Sequence, residues 1–144
     1  MVSVSGSFRG TIRVQSAISI PDQPNHSISI GEVTGIQKSS DANWNNATCT
    51  YWAIAEITGN AGTQRGVYSN DHGEGGLEYG TYEGKVSIVN GQVIVEGTWV
   101  CTRGTGKFHG LSASGTFRTR LASPTEIDAS WEGAYELAAK AQAS

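Results

Sequence analysis

Apolar and polar residues alternate along almost the whole chain. In Ser3–Val14, "SVSGSFRGTIRV", Val4, Phe8, Ile12 and Val14 fall on one face, and Arg9, Thr11 and Arg13 fall on the other. A period of two predicts β-strand, because successive side chains point to opposite sides of a sheet. "HSISIGEVTGI" repeats the pattern from His26, and "ATCTYWAIAEI", from Ala47, is a buried-looking run of aromatic and β-branched residues. "TQRGVYSND" follows the turn Gly59-Asn-Ala-Gly62. "LEYGTYEGKVSIV" and "QVIVEGTWVCT" flank Asn90-Gly91, a hairpin signal because both central residues of a type I′ turn need positive φ. "SGTFRTRL" is the seventh strand and is ended by Pro124. "EIDASWEGAYEL" is the eighth, with Ile127, Ala129, Trp131, Tyr135 and Leu137 on one face and Glu126, Asp128, Ser130, Glu132 and Glu136 on the other.

Eight short strands with tight turns predict an antiparallel meander, and closure of that meander removes its two unpaired edges. An eight-stranded barrel is just wide enough for packed side chains or one small ligand. Glycines within the runs, among them Gly10, Gly66, Gly80 and Gly97, fit the bends and close approaches of such a barrel. The expected fold is therefore all-β, a single eight-stranded antiparallel β-barrel over 1–138, with a short C-terminal tail at 139–144. "PDQPN" and "KSSDANWNN" are loops, and Trp44 in the second either caps a barrel mouth or packs on the rim.

Composition narrows the function. The 144 residues are consistent with one domain. A net charge of -3 without a Lys/Arg cluster argues against a nucleic-acid partner. No apolar run approaches the ~20 residues of a membrane-spanning helix, so no membrane partner is expected. No basic, then apolar, leader pattern opens the chain, so the expected location is cytoplasmic. Cys49 and Cys101 lack metal-site spacing and are expected to be free thiols.

The stretch Gly104–Phe117, "GTGKFHGLSASGTF", has the look of a phosphate loop. A Walker A loop needs Gly, four residues, then Gly-Lys-Ser/Thr. Here Cys101 stands where the first glycine belongs and Phe108 follows Lys107. The dinucleotide pattern G-x-G-x-x-G places His109 at its third glycine, and the segment runs on into a strand rather than a helix. The glycines are read instead as a sharp corner between strands six and seven, with Phe108 and Leu111 plugging the barrel end.

That corner carries a resemblance. "GTWVCTRGTGKFHGLSASGTF", from Gly97 to Phe117, resembles the G-x-W…G-x-G-x-F-x-G-L signature of the allene oxide cyclase-like barrels. It is closest to small bacterial barrel domains of unknown function. "GTYEGKVSIVNGQVIVEGTW" and "IGEVTG" extend the likeness over residues 26–137, most densely from Gly80 to Phe117. The wider group includes plant allene oxide cyclases, dirigent proteins and bacterial polyketide cyclases. The resemblance implies a calycin-like barrel, an apolar lumen that shapes a flexible substrate, and a homo-oligomer (dimer or trimer). Plant cyclases carry a carboxylate in the first strand, where this chain has arginines and no acid. Cys49 corresponds, on this resemblance, to a cysteine that lines the cyclase barrel.

Chemistry in such a lumen would fall to ionisable groups whose pKa values burial shifts. Glu32 shares parity with Ile28, Ile30 and Ile36, so it is a general-base candidate if that apolar face is the lumen, and an outward carboxylate otherwise. His72 closes strand four beside Asn70 and Tyr68 on one parity, and histidine titrates near neutral pH. Glu32 and His72 are thus the catalytic candidates. Asp71, His72 and Glu74 suit a solvated turn better than a metal site, so no metal is expected.

In strand five either Tyr79 and Glu83 or Tyr82 face inward. With Cys49, Tyr51, Tyr68, Asn70 and Trp99, the residues Tyr79 and Glu83 complete the candidate substrate-binding set. Trp131 and Tyr135 are read as core, and His109 as an exposed corner residue.

The expected function is a cofactor-independent enzyme that binds a small hydrophobic molecule. Its reaction would be isomerisation, cyclisation or addition/elimination by acid/base chemistry. The alternatives are a non-catalytic carrier of an apolar ligand, and a structural oligomer with a filled core.

Overall fold

The computed structural model describes residues 1–138, and the short tail expected at 139–144 lies outside the described residues. Eight antiparallel strands form a closed barrel, each pairing with the next in sequence and the last with the first. They are β1 (Val2–Ser19), β2 (His26–Ile36), β3 (Thr48–Thr58), β4 (Ala61–Asp71), β5 (Leu77–Val89), β6 (Gln92–Gly104), β7 (Ser112–Ser123) and β8 (Glu126–Glu136). The β5–β6 hairpin turns on Asn90 (φ 52°) and Gly91 (φ 76°), both left-handed as the type I′ geometry requires. Closure runs in register from Val2 opposite Tyr135 to Thr11 opposite Glu126. On the outside of that seam Asp128 receives Arg9 Nε at 2.8 Å and Arg9 Nη2 at 2.9 Å, and also Arg120 Nη2 at 2.6 Å. One carboxylate thereby ties β1, β8 and β7 together.

The alternation assigns the inner wall. Phe8 on β1, Val33 on β2, Cys49 and Tyr51 on β3, and Tyr68 and Asn70 on β4 point inward. So do Tyr82 on β5, Trp99 on β6, Phe117 on β7 and Trp131 on β8. Two expectations about faces are corrected. The register of β1 against β2 shifts between Ile12 and Val14, a bulge that moves Val14 out of the Phe8 face and leaves it exposed. The apolar parity of β2 is the outer one: Ile28, Ile30 and Ile36 are exposed, whereas Val33 between them is buried.

Two clusters fill the barrel's ends. At one end Trp44 and Phe108 are 1% and 0% exposed and pack with Val4, Leu111, Ala113 and Tyr135. Phe108 ends a single 3-10 turn, Gly106–Phe108, in the β6–β7 corner, whose Gly106 and Gly110 have φ of 61° and 77°. The corner is therefore a backbone device that inserts Phe108, as its sequence predicts. Trp44 resolves to a cap: its ring centroid lies 4.6 Å from that of Tyr135 and 5.9 Å from that of Phe108. Toward the other end Val33, Ile127 and Ala129 pack with Phe8, Ile12, Tyr51 and Leu121.

Candidate functional site

Between the two clusters the lumen holds a cavity of ≈ 80 Å³. A site for one water needs about 10–15 Å³ on the same measure, so the void exceeds a single water. Half of its lining residues are aromatic. Phe8, Tyr51, Tyr82 and Phe117 form one chain of neighbouring rings, with centroids 6.4, 5.6 and 5.5 Å apart in turn. Tyr68, Trp99, Trp131 and Trp44 form a second, at 6.4, 5.8 and 6.4 Å. Five of these six contacts are near-perpendicular or edge-on, at 65°, 86°, 88°, 89° and 89°, an arrangement favoured by the ring quadrupoles.

One carboxylate stands in this aromatic surround. Glu78, near the start of β5, is 1% exposed and lines the cavity. Its Oε1 accepts from Trp44 Nε1 at 3.0 Å and from Asn70 Nδ2 at 3.0 Å, and its Oε2 accepts from the Tyr68 hydroxyl at 2.9 Å. Behind it, Gln37 Nε2 donates to Asn70 Oδ1 at 3.1 Å, and Trp131 Nε1 donates to Gln37 Oε1 at 2.8 Å. The network draws on three strands, β4, β5 and β8, and on the loop after β2. Burial pushes the Glu78 pKa up, the three received hydrogen bonds pull it back, and burial dominates. Tyr68 is held well above the usual phenol value, first by burial and then by the neighbouring Glu78 charge, so it remains a donor.

Gly80 makes room for this pair. It lies opposite Tyr68 in the β4–β5 register, and a Cβ at position 80 would overlap the Tyr68 ring and hydroxyl. Only glycine there lets the phenol lie across β5 and reach Glu78 two residues away.

The sequence candidates separate by face. Cys49, Tyr51, Tyr68, Asn70 and Trp99 line the cavity. Burial pushes the Cys49 thiol up to about 12 and the Cys101 thiol up to about 11, with the Glu78 charge adding in both cases, so neither is a thiolate at neutral pH. Both cysteines are free.

Glu32, Tyr79 and Glu83 stand on the outer wall. Glu32 accepts from Trp52 Nε1 at 2.7 Å on the exposed face it shares with Ile30. Tyr79 lies under the Arg103 guanidinium, 4.2 Å from ring centroid to Cζ, and Glu83 faces solvent between Arg65 and Thr98. The strand-five alternative resolves to the Tyr82 face.

His72 sits beneath the plug rather than in the cavity. Its ring centroid is 4.1 Å from that of Phe108, and its Nε2 is buried without a partner. Burial lowers its pKa and Lys107 adds to the effect, against the Asn43 carbonyl and Asp71. His109 is exposed at the corner.

Glu78 and Gln37 are the functional candidates that the sequence reading passed over. The signal for Glu78 was parity: it shares a face with Gly80, Tyr82, Gly84 and Val86, so fixing Tyr82 inward fixes Glu78 inward as well. Gln37 follows the last residue of β2, where alternation gives no guidance.

No protein-family model matches the chain, and no curated protein matches it.

Proposed function

We propose that this protein takes a small hydrophobic molecule into the barrel lumen and acts on it without a cofactor, by proton transfer at Glu78. The observation that carries the reading is a single buried carboxylate with a raised pKa on the wall of an aromatic cavity. A carboxyl tuned upward exchanges protons closer to neutral pH than an ordinary one. As base, Glu78 removes a proton from a substrate carbon, and the C–H electron pair shifts into the adjacent unsaturated bond. As acid, it returns that proton at the far end of the shifted system, which completes an isomerisation. Loss of a leaving group from the same carbanion gives elimination, and internal capture gives cyclisation. Tyr68 and Asn70 orient the carboxylate, and the surrounding rings hold the apolar body of the substrate.

The test is a nuclear magnetic resonance screen of small unsaturated carbonyl compounds in heavy water. A substrate gains deuterium at the carbon that Glu78 serves, and the Glu78→Gln protein leaves it unlabelled. Labelling that persists in Glu78→Gln would overturn the assignment.

The carrier reading has one observation in its favour. All three protein donors around Glu78 are satisfied by it, and so many hydrogen bonds fix a carboxylate as well as activate it. Compounds that bind the lumen and never exchange a proton there would select the carrier.

The homo-oligomer implied by resemblance has a surface to use. Ile30 pairs with Ile54 and Trp52 with Val67 across the outer face of β2, β3 and β4, and all four are exposed. A second copy of this chain suits that face. Glu32 lies on its β2 side and Arg65 on its β4 side, so a two-fold axis through the centre sets opposite charges against each other.

A further inference from the structure

We propose that the ligand of the lumen is an organic cation, a small amine whose ammonium group is received by Glu78 and whose apolar body lies among the rings. The inference rests on the carrier reading of the lumen, in which Glu78 receives the ligand and moves no proton, and it names the ligand's chemical class. Among the described residues that line the cavity there is no Lys, Arg or His, and Glu78 is the one Asp or Glu. Its three partners, an indole N–H, an amide N–H and a phenol O–H, are all neutral donors. The protein therefore solvates the carboxylate without neutralising it.

A buried charge that lacks a counter-charge is costly, and the cost is relieved by an opposite charge at contact distance. A carboxylate accepts at about four sites, of which the protein fills three, leaving one for a ligand N–H.

The walls suit the same guest. Ring faces carry the negative lobe of the aromatic quadrupole and attract a cation, more strongly where water is excluded. Neighbouring rings here stand nearly perpendicular at Tyr51–Tyr82, Tyr82–Phe117 and Trp99–Trp131, so the walls carry faces as well as edges. An anionic guest would meet like charge from Glu78 and the negative faces of the rings. A neutral guest would fill the space but leave Glu78 as it is.

The experiment uses three probes of matched size with the full chain at pH 7: benzylammonium, benzyl alcohol and benzoate. Binding is read by calorimetry and by tryptophan fluorescence, since Trp44, Trp99 and Trp131 all line the cavity. The expected ranking is benzylammonium at least about tenfold tighter than benzyl alcohol, with benzoate weakest. In Glu78→Gln the gap between cation and alcohol closes, while the alcohol binds as before. In Glu32→Gln, which removes the carboxylate beside the outer Trp52, the ranking is unchanged.

Equal affinity for alcohol and cation in the unaltered protein overturns the cation inference and leaves the lumen reading standing. Loss of the cation's advantage in Glu32→Gln places the site on the outer wall and overturns it as well. Binding of none of the three overturns both. The three-probe ranking decides the matter on the unaltered protein, whether or not the Glu78→Gln chain folds.

Discussion

The indole of Trp44, on the loop between β2 and β3, donates from Nε1 to Glu78 Oε1 on β5 at 3.0 Å, with both residues 1% exposed. The cap and the carboxylate are thus one structural unit. A loop residue satisfies the buried acid, and the acid supplies the acceptor that a buried indole N–H needs.

Replacing Trp44 with Phe removes the donor and part of the plug's volume. A hydrogen bond to a charged group contributes about 1.5–3 kcal/mol, and the lost ring leaves a small void, so Trp44→Phe should destabilise the fold by about 2–4 kcal/mol. The check is the urea midpoint of both proteins at equal slope. A shift of less than half a kcal/mol would show that the indole serves only as filler.

Glu78→Gln gives the second prediction, with its sign set by the raised pKa. A carboxyl that holds its proton longer in the folded state than in the unfolded one lowers stability as pH rises through the interval between the two values. The glutamine carbonyl keeps the bonds from Trp44 and Asn70, and its amide can donate to the Tyr68 oxygen. The thermal midpoint of Glu78→Gln should therefore gain on that of the unaltered protein as pH rises from acid toward neutral. Glu78→Ala, which strands all three donors, should be less stable than either at every pH.

At Gly80 a methyl group would overlap the Tyr68 phenol. Gly80→Ala should displace that ring, break its bond to Glu78 and cost about 1–3 kcal/mol. Gly31→Ala is the control, since its Cβ would meet only the Val14 carbonyl oxygen at 3.4 Å. Chemical unfolding of the pair should show a large loss for Gly80→Ala and a change within about 0.5 kcal/mol for Gly31→Ala.

The two buried or paired histidines should respond to pH in opposite directions. His26 is bracketed by Asp22 at 2.7 Å and Glu56 at 2.8 Å, one on each ring nitrogen. The Asp22 bond first, and then the Glu56 bond, raises its pKa above the ordinary 6.5. Its stabilising contribution is complete below 6.5 and is lost as pH rises through its folded value. His72 is depressed below 6.5, chiefly by burial, so its contribution is complete above 6.5 and is lost as pH falls through its folded value. Proton resonance titration should place the His26 midpoint above 6.5 and the His72 midpoint below it. The reverse order would refute both assignments.

A charge placed at the centre of the outer apolar face should separate the copies. Ile54→Glu puts a carboxylate against its own symmetry mate without touching the lumen, since Ile54 is 45% exposed on the outside of β3. Sedimentation should show an oligomer for the unaltered chain and a monomer for Ile54→Glu, with the same strand signal by circular dichroism. A monomer in both would remove this face as an interface.

Much of the barrel was legible because alternation on a curved sheet leaves each strand one inward face. The Asn90-Gly91 turn, the two-faced β8 and the Phe108 corner follow from local rules of backbone conformation and patterning. The face assignment of β2 did not, because both of its faces carry apolar residues: Val33 goes in, while Ile28, Ile30 and Ile36 go out. Parity cannot rank two such faces until the neighbouring strands are placed. That ambiguity makes Glu32 a lumen candidate, and nothing local marks Glu78, because a glutamate near a strand start is ordinarily solvated. The bulge after Ile12 also has no sequence mark, since it shifts the register inside an unbroken alternation.

The seam between β1 and β8 joins the first described strand to the last, with Phe8 opposite Ala129. The cavity wall needs Phe8 from one side of that seam and Trp131 from the other. While the chain is being synthesised, seven strands can emerge and pair with no pocket yet closed. Enclosure waits for the eighth, and such a topology, rich in distant contacts, folds slowly. A lumen ligand can therefore engage the finished ring but has no complete site on the growing chain.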